Sequence, residues 1–559
     1  MNKIAVFVLI TLIFASFSFT SSAFAAPQSP IAADLDALLS SVYKANEPGA
    51  AFLIWKDGKV LVRKAYGMAD LELGVRMEPD MIFRIGSMTK QFTAVAILQL
   101  MEQGKLARAD PITKFLPDYP TQGKTITVEH LLTHTSGIKS YTDIDEFGPL
   151  VRKDLTVPEL IAVFKDKPMD FAPGERWRYN NSGFFLLGAI IEKASGLTYE
   201  AFLQKNIFEP LGMTHTFYGN ATRIIPRRIP GYGAGPGNGF SNAEFLSMAL
   251  PFSAGSLLSN VDDLAVWNAA LLAGKLIRRE TLARAWTSYK LADGSSTGYG
   301  YGWGVSEYEG HRMIAHGGAI PGFTADGILF PDDKLFVTLL TNSTVGKRAP
   351  APNNFRAAAL ALAKPYKEPA AVAMPEKDLA LLAGVYANAW KEEFLVRVDG
   401  GKVTIAGPEI PRGEIYPLSA SLFFIKNSRT RVEFARNAKG EPVEVTLKPE
   451  FGAPLRFART AKPLPAERRS IVLDPKIFDQ YVGEYEIAPG FSIKFYRDGA
   501  KFMTQATGQA VIEIFAESET KFFLKVVDAQ TEFVKDAAGK VTGLVLTQNG
   551  RQTPGKKIK

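Results

Sequence analysis

The 559-residue sequence predicts an α+β domain, an antiparallel sheet flanked by helices, followed by two small all-β, barrel-like domains. Three observations predict it. Strand patterns stand at both ends of residues 26–365, with helical patterns between them. A stretch rich in Pro and Ala, 365–375, then reads as a linker. Beyond it the sequence repeats itself at a constant offset of 99.

Taken in order, residues 1–25 read as a cleaved signal peptide. Met1-Asn2-Lys3 is a short basic start, residues 4–19 are apolar with small polar interruptions, and Ala23-Phe24-Ala25 supplies a small-x-small cleavage pattern. The apolar run is short for a membrane span and no second one follows. The mature chain is therefore expected in the periplasm or secreted, with no integral membrane segment. In 34–44, Leu35, Leu38, Leu39 and Val42 recur at helical spacing, with Asp34 placed as N-cap. Residues 50–55 and 60–65 flank Lys56-Asp57-Gly58-Lys59 and predict a hairpin. Residues 87–103 and 184–194 are helical in pattern, the first stopped by Gly104. Residues 328–330 and 335–340 straddle Pro331-Asp332-Asp333 as a second hairpin. The two repeats, 376–462 and 470–559, match Gly384 with Gly483, Tyr386 with Tyr485, Asp399-Gly400 with Asp498-Gly499, Phe434 with Phe533 and Gly440 with Gly539. Each holds short alternating segments ending in Asp-Gly turns, the signature of a small barrel or sandwich. Two copies are too few for a solenoid.

Composition removes several functions. With no cysteine there are no disulfides, thiol nucleophiles or zinc thiolates, and no lipidated cysteine. The net charge of +8 is spread along the chain without a Lys/Arg run interleaved with aromatics, so no nucleic-acid partner is expected. His130 and His134 are four apart, but Leu131 stands where a zincin needs Glu; no metal site or cofactor is expected, and packing or hydrogen bonding accounts for both. Gly294-Ser295-Ser296-Thr297-Gly298 has the spacing of a nucleophile elbow, yet lacks the strand before it and the helix after it.

Chemistry concentrates in three distant segments: Ser87-Met88-Thr89-Lys90, Tyr179-Asn180-Asn181 and His316-Gly317-Gly318-Ala319. A serine hydroxyl is barely ionised at neutral pH and needs a base within reach. Lys three residues on along a helix shares its face. S-x-x-K also occurs at Ser41, Ser136 and Ser518, but only Ser87 follows an extended approach and a glycine and opens a helix, where unpartnered N–H groups can face an oxyanion. Tyr179, on a loop feeding a helix, can pass a proton, and Asn181 can orient substrate or Lys90. His316 begins an edge strand whose side-chain-free Gly317 and Gly318 let a substrate lie along the backbone, with the Ala319 amide a second oxyanion donor.

With Leu131-Leu132-Thr133-His134-Thr135-Ser136-Gly137, Pro210-Leu211-Gly212-Met213, Ser259-Asn260-Val261-Asp262-Asp263-Leu264 and Gly302-Trp303-Gly304, these segments resemble the serine β-lactamase and penicillin-binding-protein superfamily, and within it the class C β-lactamase-like branch, peptidase family S12. The resemblance spans about residues 35–345. It implies a β-lactamase/transpeptidase-like domain, Ser87 as acyl-enzyme nucleophile, Lys90 and Tyr179 as general-base pair, Asn181 as substrate-positioning, and the Ser87 and Ala319 amides as oxyanion hole. The two repeats resemble the C-terminal β-barrels of bacterial D-aminopeptidases. One departure shifts the expected substrate: His316-Gly317-Gly318 stands where β-lactamases carry Lys-Thr-Gly, and a neutral histidine weakens the anchor for a substrate carboxylate. No Glu is identifiable as a separate deacylating base, so deacylation also falls to Tyr179.

The function expected is an exported serine hydrolase acting through an acyl-enzyme on a small peptide, amide or ester, as a D-aminopeptidase, D-Ala carboxypeptidase-like peptidase, amidase or esterase. The alternatives are a β-lactamase proper and a non-catalytic penicillin- or peptide-binding relative. Substrate-pocket side chains are expected from 141–148 and 231–240. A homo-oligomer through the C-terminal β domains is the further partner the sequence leaves open.

Overall fold

The computed structural model describes residues 30–559, except 145, 236–238, 347–348, 408–409, 467, 489, 508, 510, 526, 528, 549 and 550. The leader expected at 1–25 lies outside the described residues. Helix α1 (Pro30–Val42) starts one turn before the N-cap expected at Asp34. Proline needs no amide partner in a first helical turn, so the helix runs back to Pro30 and Asp34 lies inside it.

The catalytic-side sheet is built from β1 (Ala50–Lys56), β2 (Lys59–Tyr66), β3 (Gly304–Tyr308), β4 (His311–Ile320), β5 (Phe323–Phe330) and β6 (Leu335–Thr341), in the order β3-β4-β5-β6-β1-β2. Every neighbouring pair is antiparallel. The β1–β2 hairpin turns at Asp57 and Gly58, both with positive φ (46° and 84°), the twist a two-residue hairpin needs. The sheet has two buried faces, and the period-two alternation of strands shows in its cores. Ala50, Phe52 and Ile54 join Leu35, Leu39, Val337 and Phe355 under α1 and a late helix, whereas Ala51 and Leu53 join the larger core on the other face. That larger core centres on α2 (Thr89–Glu102), buried on all sides from Thr89 to Leu100, and on α3 (Asn181–Ser195). A helix buried all round fits a central position, and its polar side chains Lys90, Gln91 and Thr93 are hydrogen-bonded inside. The late helix is α4 (Pro350–Ala361).

The two repeats fold as barrels. In the first, eight antiparallel strands from Gly384–Ala387 to Leu455–Arg459 close into a barrel. The second is a nine-stranded sheet whose edge strands, Ile512–Glu513 and Phe515–Ala516, are separated by one residue, so it wraps almost fully round. The matched positions have matched duties. Tyr386 donates to the Leu382 carbonyl (2.8 Å) and Tyr485 to the Tyr481 carbonyl (2.9 Å). Their rings pack on Phe434 and Phe533. Gly400, Gly499, Gly440 and Gly539 all turn with positive φ. Among the described residues no helix is long and apolar enough to cross a membrane.

Candidate active site

The short strand Phe83–Arg84 delivers the chain to a 3-10 turn, Gly86–Met88, that runs into α2. Ser87 thereby lines a cleft of about 140 Å³. Lys90, on the first turn of α2, is completely buried. Its Nζ lies 3.1 Å from Ser87 Oγ, 2.8 Å from Asn181 Oδ1 and 2.8 Å from the Ala254 carbonyl. Two of these three partners are acceptors only, since Asn181 Nδ2 is committed to Thr142 Oγ1 at 3.3 Å. A neutral amine has two N–H donors and one lone pair. Asn181 and Ala254 take the donors, and the lone pair is left facing the serine hydroxyl. Burial holds Lys90 well below the usual lysine range, which favours that neutral form. The aromatic faces of Tyr179 and Phe184 wall it in, with Nζ 4.7 and 5.6 Å from their centroids.

Tyr179 is placed by the residue after it. Asn180 caps α3 through Oδ1 to the Gly183 amide (2.7 Å), and its own amide donates to His134 Nδ1 (3.1 Å). The His134 ring lies 4.4 Å from that of Tyr179. The Tyr179 hydroxyl is buried without a hydrogen bond of normal length to protein. Burial raises its pKa, with the nearby Ser87 hydroxyl opposing, so the phenol keeps its proton. His130, by contrast, makes a capping box with Thr127. His130 and His134 Nδ1 are thus each engaged in a hydrogen bond within the protein, while His134 Nε2 is buried without one.

The third segment lies on β4, which begins at His311, five residues before the start expected at His316. Its partner β3 stops pairing at Ala315, so 316–320 has one edge without a strand partner, while one face of the segment packs on the Ile85–Ser87 backbone. A Cβ on Gly318 would lie 2.0 Å from the Ile85 carbonyl oxygen and 3.1 Å from the Ser87 nitrogen; one on Gly86 would lie 2.9 Å from the Ala319 nitrogen. Gly318 is therefore needed for the strand to meet the Ile85–Ser87 backbone, a duty the sequence reading did not include. The contact brings the backbone at Ser87 and Ala319 together, the two residues whose amides would serve an oxyanion hole. Gly317 has only ordinary contacts.

His316 is 8% exposed. Its Nδ1–H donates to the Gly317 carbonyl (2.5 Å), and Nε2 accepts from the Tyr299 hydroxyl (2.9 Å). Burial first, and Lys90 second, push its pKa down to about 3, so it is neutral. The sequence reading missed Tyr299, as well as Ala254, whose contribution is a backbone carbonyl without a side-chain signature. It also missed part of the cleft wall. Tyr141, Thr142 and Phe147 line it as expected, but the opposite side is Leu246, Leu250 and Pro251 rather than 231–240.

The first barrel completes the rear of the site. Trp177, Tyr299 and Ala453 form a buried cluster against Tyr179. Gly452 (φ 99°) touches the Trp177 ring so closely that a Cβ there would lie 2.8 Å from it. Arg176 clamps Glu392 of the barrel through two bonds (3.1 and 2.6 Å) and stacks on Trp390 at 4.3 Å.

Comparison with known proteins agrees with this geometry. Residues 33–362 match the family described as Beta-lactamase, and 368–464 and 467–557 each match a domain of unknown function, DUF3471. Penicillin-binding protein 4* of Bacillus subtilis is 24% identical over 550 residues, covering 94% of this chain and 98% of that protein. The putative penicillin-binding protein PbpX of the same organism is 31% identical over 53% of this chain and 70% of its own length. Among solved structures, the octameric penicillin-binding protein homologue from Pyrococcus abyssi has a TM-score of 0.54 at 28% identity, covering 76% of this chain and 98% of that one. D-amino acid amidase from Ochrobactrum anthropi SV3, complexed with L-phenylalanine amide, has a TM-score of 0.51 at 27% identity, over 57% and 92%.

Proposed function

The chain belongs to the beta-lactamase family of serine hydrolases, and from that membership we propose that it is an exported amidase or peptidase working through an acyl-enzyme on Ser87. The observation that carries this is the Lys90 environment: both amine donors are taken by fixed acceptors and the lone pair is aimed at Ser87 Oγ. Ser87 Oγ bonds to the substrate carbonyl carbon while Lys90 takes the hydroxyl proton. The oxyanion is held by the Ser87 and Ala319 amides. Tyr179, kept protonated by burial, gives its proton to the leaving nitrogen as the C–N bond breaks, and Lys90 passes on the proton it took. In deacylation the same pair accepts a proton from water and returns one to Ser87. Asn181 acts by fixing Lys90 as much as by touching substrate.

Three features support an amide substrate over a β-lactam or a C-terminal carboxylate. His316 is neutral and already satisfied, so it offers no cation to a carboxylate beside the scissile bond. One structural relative is a D-amino acid amidase. The cleft over Ser87 is small and largely apolar-walled, suited to one hydrophobic side chain. Esters are cleaved by the same steps. Export rests on the leader pattern of residues 1–25, and assembly into a homo-oligomer is proposed from the octameric relative. Incubating the protein with D- and L-phenylalanine amide, p-nitrophenyl esters and nitrocefin tests the assignment. Amide turnover with weak nitrocefin hydrolysis is expected; efficient nitrocefin turnover makes it a β-lactamase, and stoichiometric labelling without turnover makes it a penicillin-binding relative.

A further inference from the structure

Beside the catalytic cleft lies a second, larger cavity of about 510 Å³. Leu246 and Pro321 line both, so the second cavity adjoins the cleft over Ser87 and lies where the far end of a longer substrate could be received. The second cavity presents two guanidiniums, Arg84 and Arg228. Arg84 stands three residues before the nucleophile, on the strand that delivers it, and lies 5.8 Å from the centroid of the Phe323 ring. It has no hydrogen-bond or ion-pair partner among the described residues. Arg228 donates to the Asn220 carbonyl (2.9 Å) and meets no carboxylate.

Other arginines around them are paired: Arg227, next in the chain, is bonded to Glu78 and Asp80, and Arg63 to Asp262. Glu72 and Glu244 also line the cavity, but neither comes within ion-pair distance of Arg84 or Arg228, and Glu72 accepts instead from Asn242 (2.9 Å). The charge that Arg84 meets is that of Arg228, which together with burial disfavours its own. Two guanidinium forks that line one cavity, neither paired with the two glutamates that also line it, offer a receptor for a planar anion.

We propose that Arg84 and Arg228 form a carboxylate-binding subsite, and that the preferred substrates carry a carboxylate several bonds away from the amide that Ser87 cleaves. This rests on the hydrolase reading for the reacting end of the substrate and adds the recognition of its far end. It also separates this chain from relatives with a lysine beside the scissile bond: the anion is read in the neighbouring cavity and not at His316.

Two measurements on the full chain test it. In the first, Ser87→Ala protein is titrated calorimetrically with glutaryl-D-alaninamide and its uncharged counterpart pentanoyl-D-alaninamide. Charge-assisted bonds should make the glutaryl ligand bind about tenfold tighter or more, a preference lost when Arg228→Gln or Arg84→Gln is added and partly kept with Arg228→Lys. Equal binding of the two ligands, no binding of either, or a preference that survives both Gln substitutions overturns the subsite. In the second, the ratio of kcat/KM for the matching p-nitroanilides is followed in wild-type and variant enzymes. It should fall toward unity in the Gln variants and with rising salt; a ratio indifferent to both overturns the proposal while leaving the hydrolase reading standing. If wild-type protein cleaves neither anilide, the hydrolase reading fails, and the titration alone decides the subsite.

Discussion

At the scale of single residues, the site works by committing polar groups in advance. In the proposed mechanism Lys90 serves as base because Asn181 and Ala254 leave it only a lone pair to offer, and His316 gives no anchor because Tyr299 and Gly317 occupy both its nitrogens. Replacing His316 with Lys is expected to shift kcat/KM toward substrates with a carboxylate beside the scissile bond, by about tenfold. An unchanged ratio between D-alanyl-D-alanine and D-alaninamide substrates would remove that role from position 316. That Ser87, Lys90, Tyr179, Asn181 and His316 belong together could be read in the sequence, because the proposed chemistry needs particular side chains at particular spacings, and folding does gather them. Ala254 was illegible because any residue supplies a carbonyl. Tyr299 was illegible because its duty is defined only by what folding sets opposite it.

At the scale of elements, the contact between β4 and the Gly86–Met88 turn positions the proposed oxyanion site. Gly318→Ala would put a methyl carbon against the backbone of Ile85, which cannot yield as a side chain would. The expected cost is about 1–3 kcal/mol in stability, measured by urea unfolding, with a still larger loss of kcat. Wild-type turnover in that variant would show that the two amides do not need this close approach. A second element-scale expectation concerns β5 against α4. Asp326 is buried and bonded to Asn354 (2.7 Å), and burial pushes its carboxyl up to about 7. In the unfolded chain the same group titrates near about 3.9. Between those two values the unfolded state loses its proton and the folded state keeps it, so stability declines as pH rises through this window and levels off above it. Asp326→Asn should flatten the decline and raise stability at pH 8 by roughly 2–4 kcal/mol, read from urea midpoints at pH 4 and pH 8. Parallel slopes for the two proteins would contradict it. The sequence placed both hairpins and the central helices correctly, since alternation and helical spacing are local. It misjudged where α1 and β4 begin, because a proline start and a strand extended by sheet pairing depend on neighbours.

At the scale of the whole molecule, the first barrel packs on the catalytic domain directly behind Tyr179. The 99-residue repeat announced both barrels, but nothing in it announced this docking, which depends on Phe451, Gly452 and Ala453 meeting Gly304 and Trp177. The Arg176–Glu392 clamp holds it, with Arg176 only 6% exposed. Burial would raise the Glu392 carboxyl, but its bonds to Arg176 and Asn388 win and hold it below the ordinary value. The clamp is therefore present above the ordinary carboxylate range and is lost as pH falls through the lowered value. Glu392→Gln leaves a buried guanidinium half satisfied, at an expected cost of about 1–3 kcal/mol, together with reduced kcat at unchanged KM. Loss of stability with kcat intact would make the barrel a passive appendage.

The central claim is that Lys90 is the neutral base that activates Ser87, and the rate at which a fluorophosphonate acylates Ser87, followed by mass spectrometry across pH 5–10, tests it most directly. Wild-type protein should be labelled at Ser87 with an acid limb lying well below the ordinary lysine range, and Lys90→Ala should slow labelling by about 10²–10⁴-fold and abolish that limb. Labelling at another residue, or a Lys90→Ala profile that overlays the wild type, would contradict it.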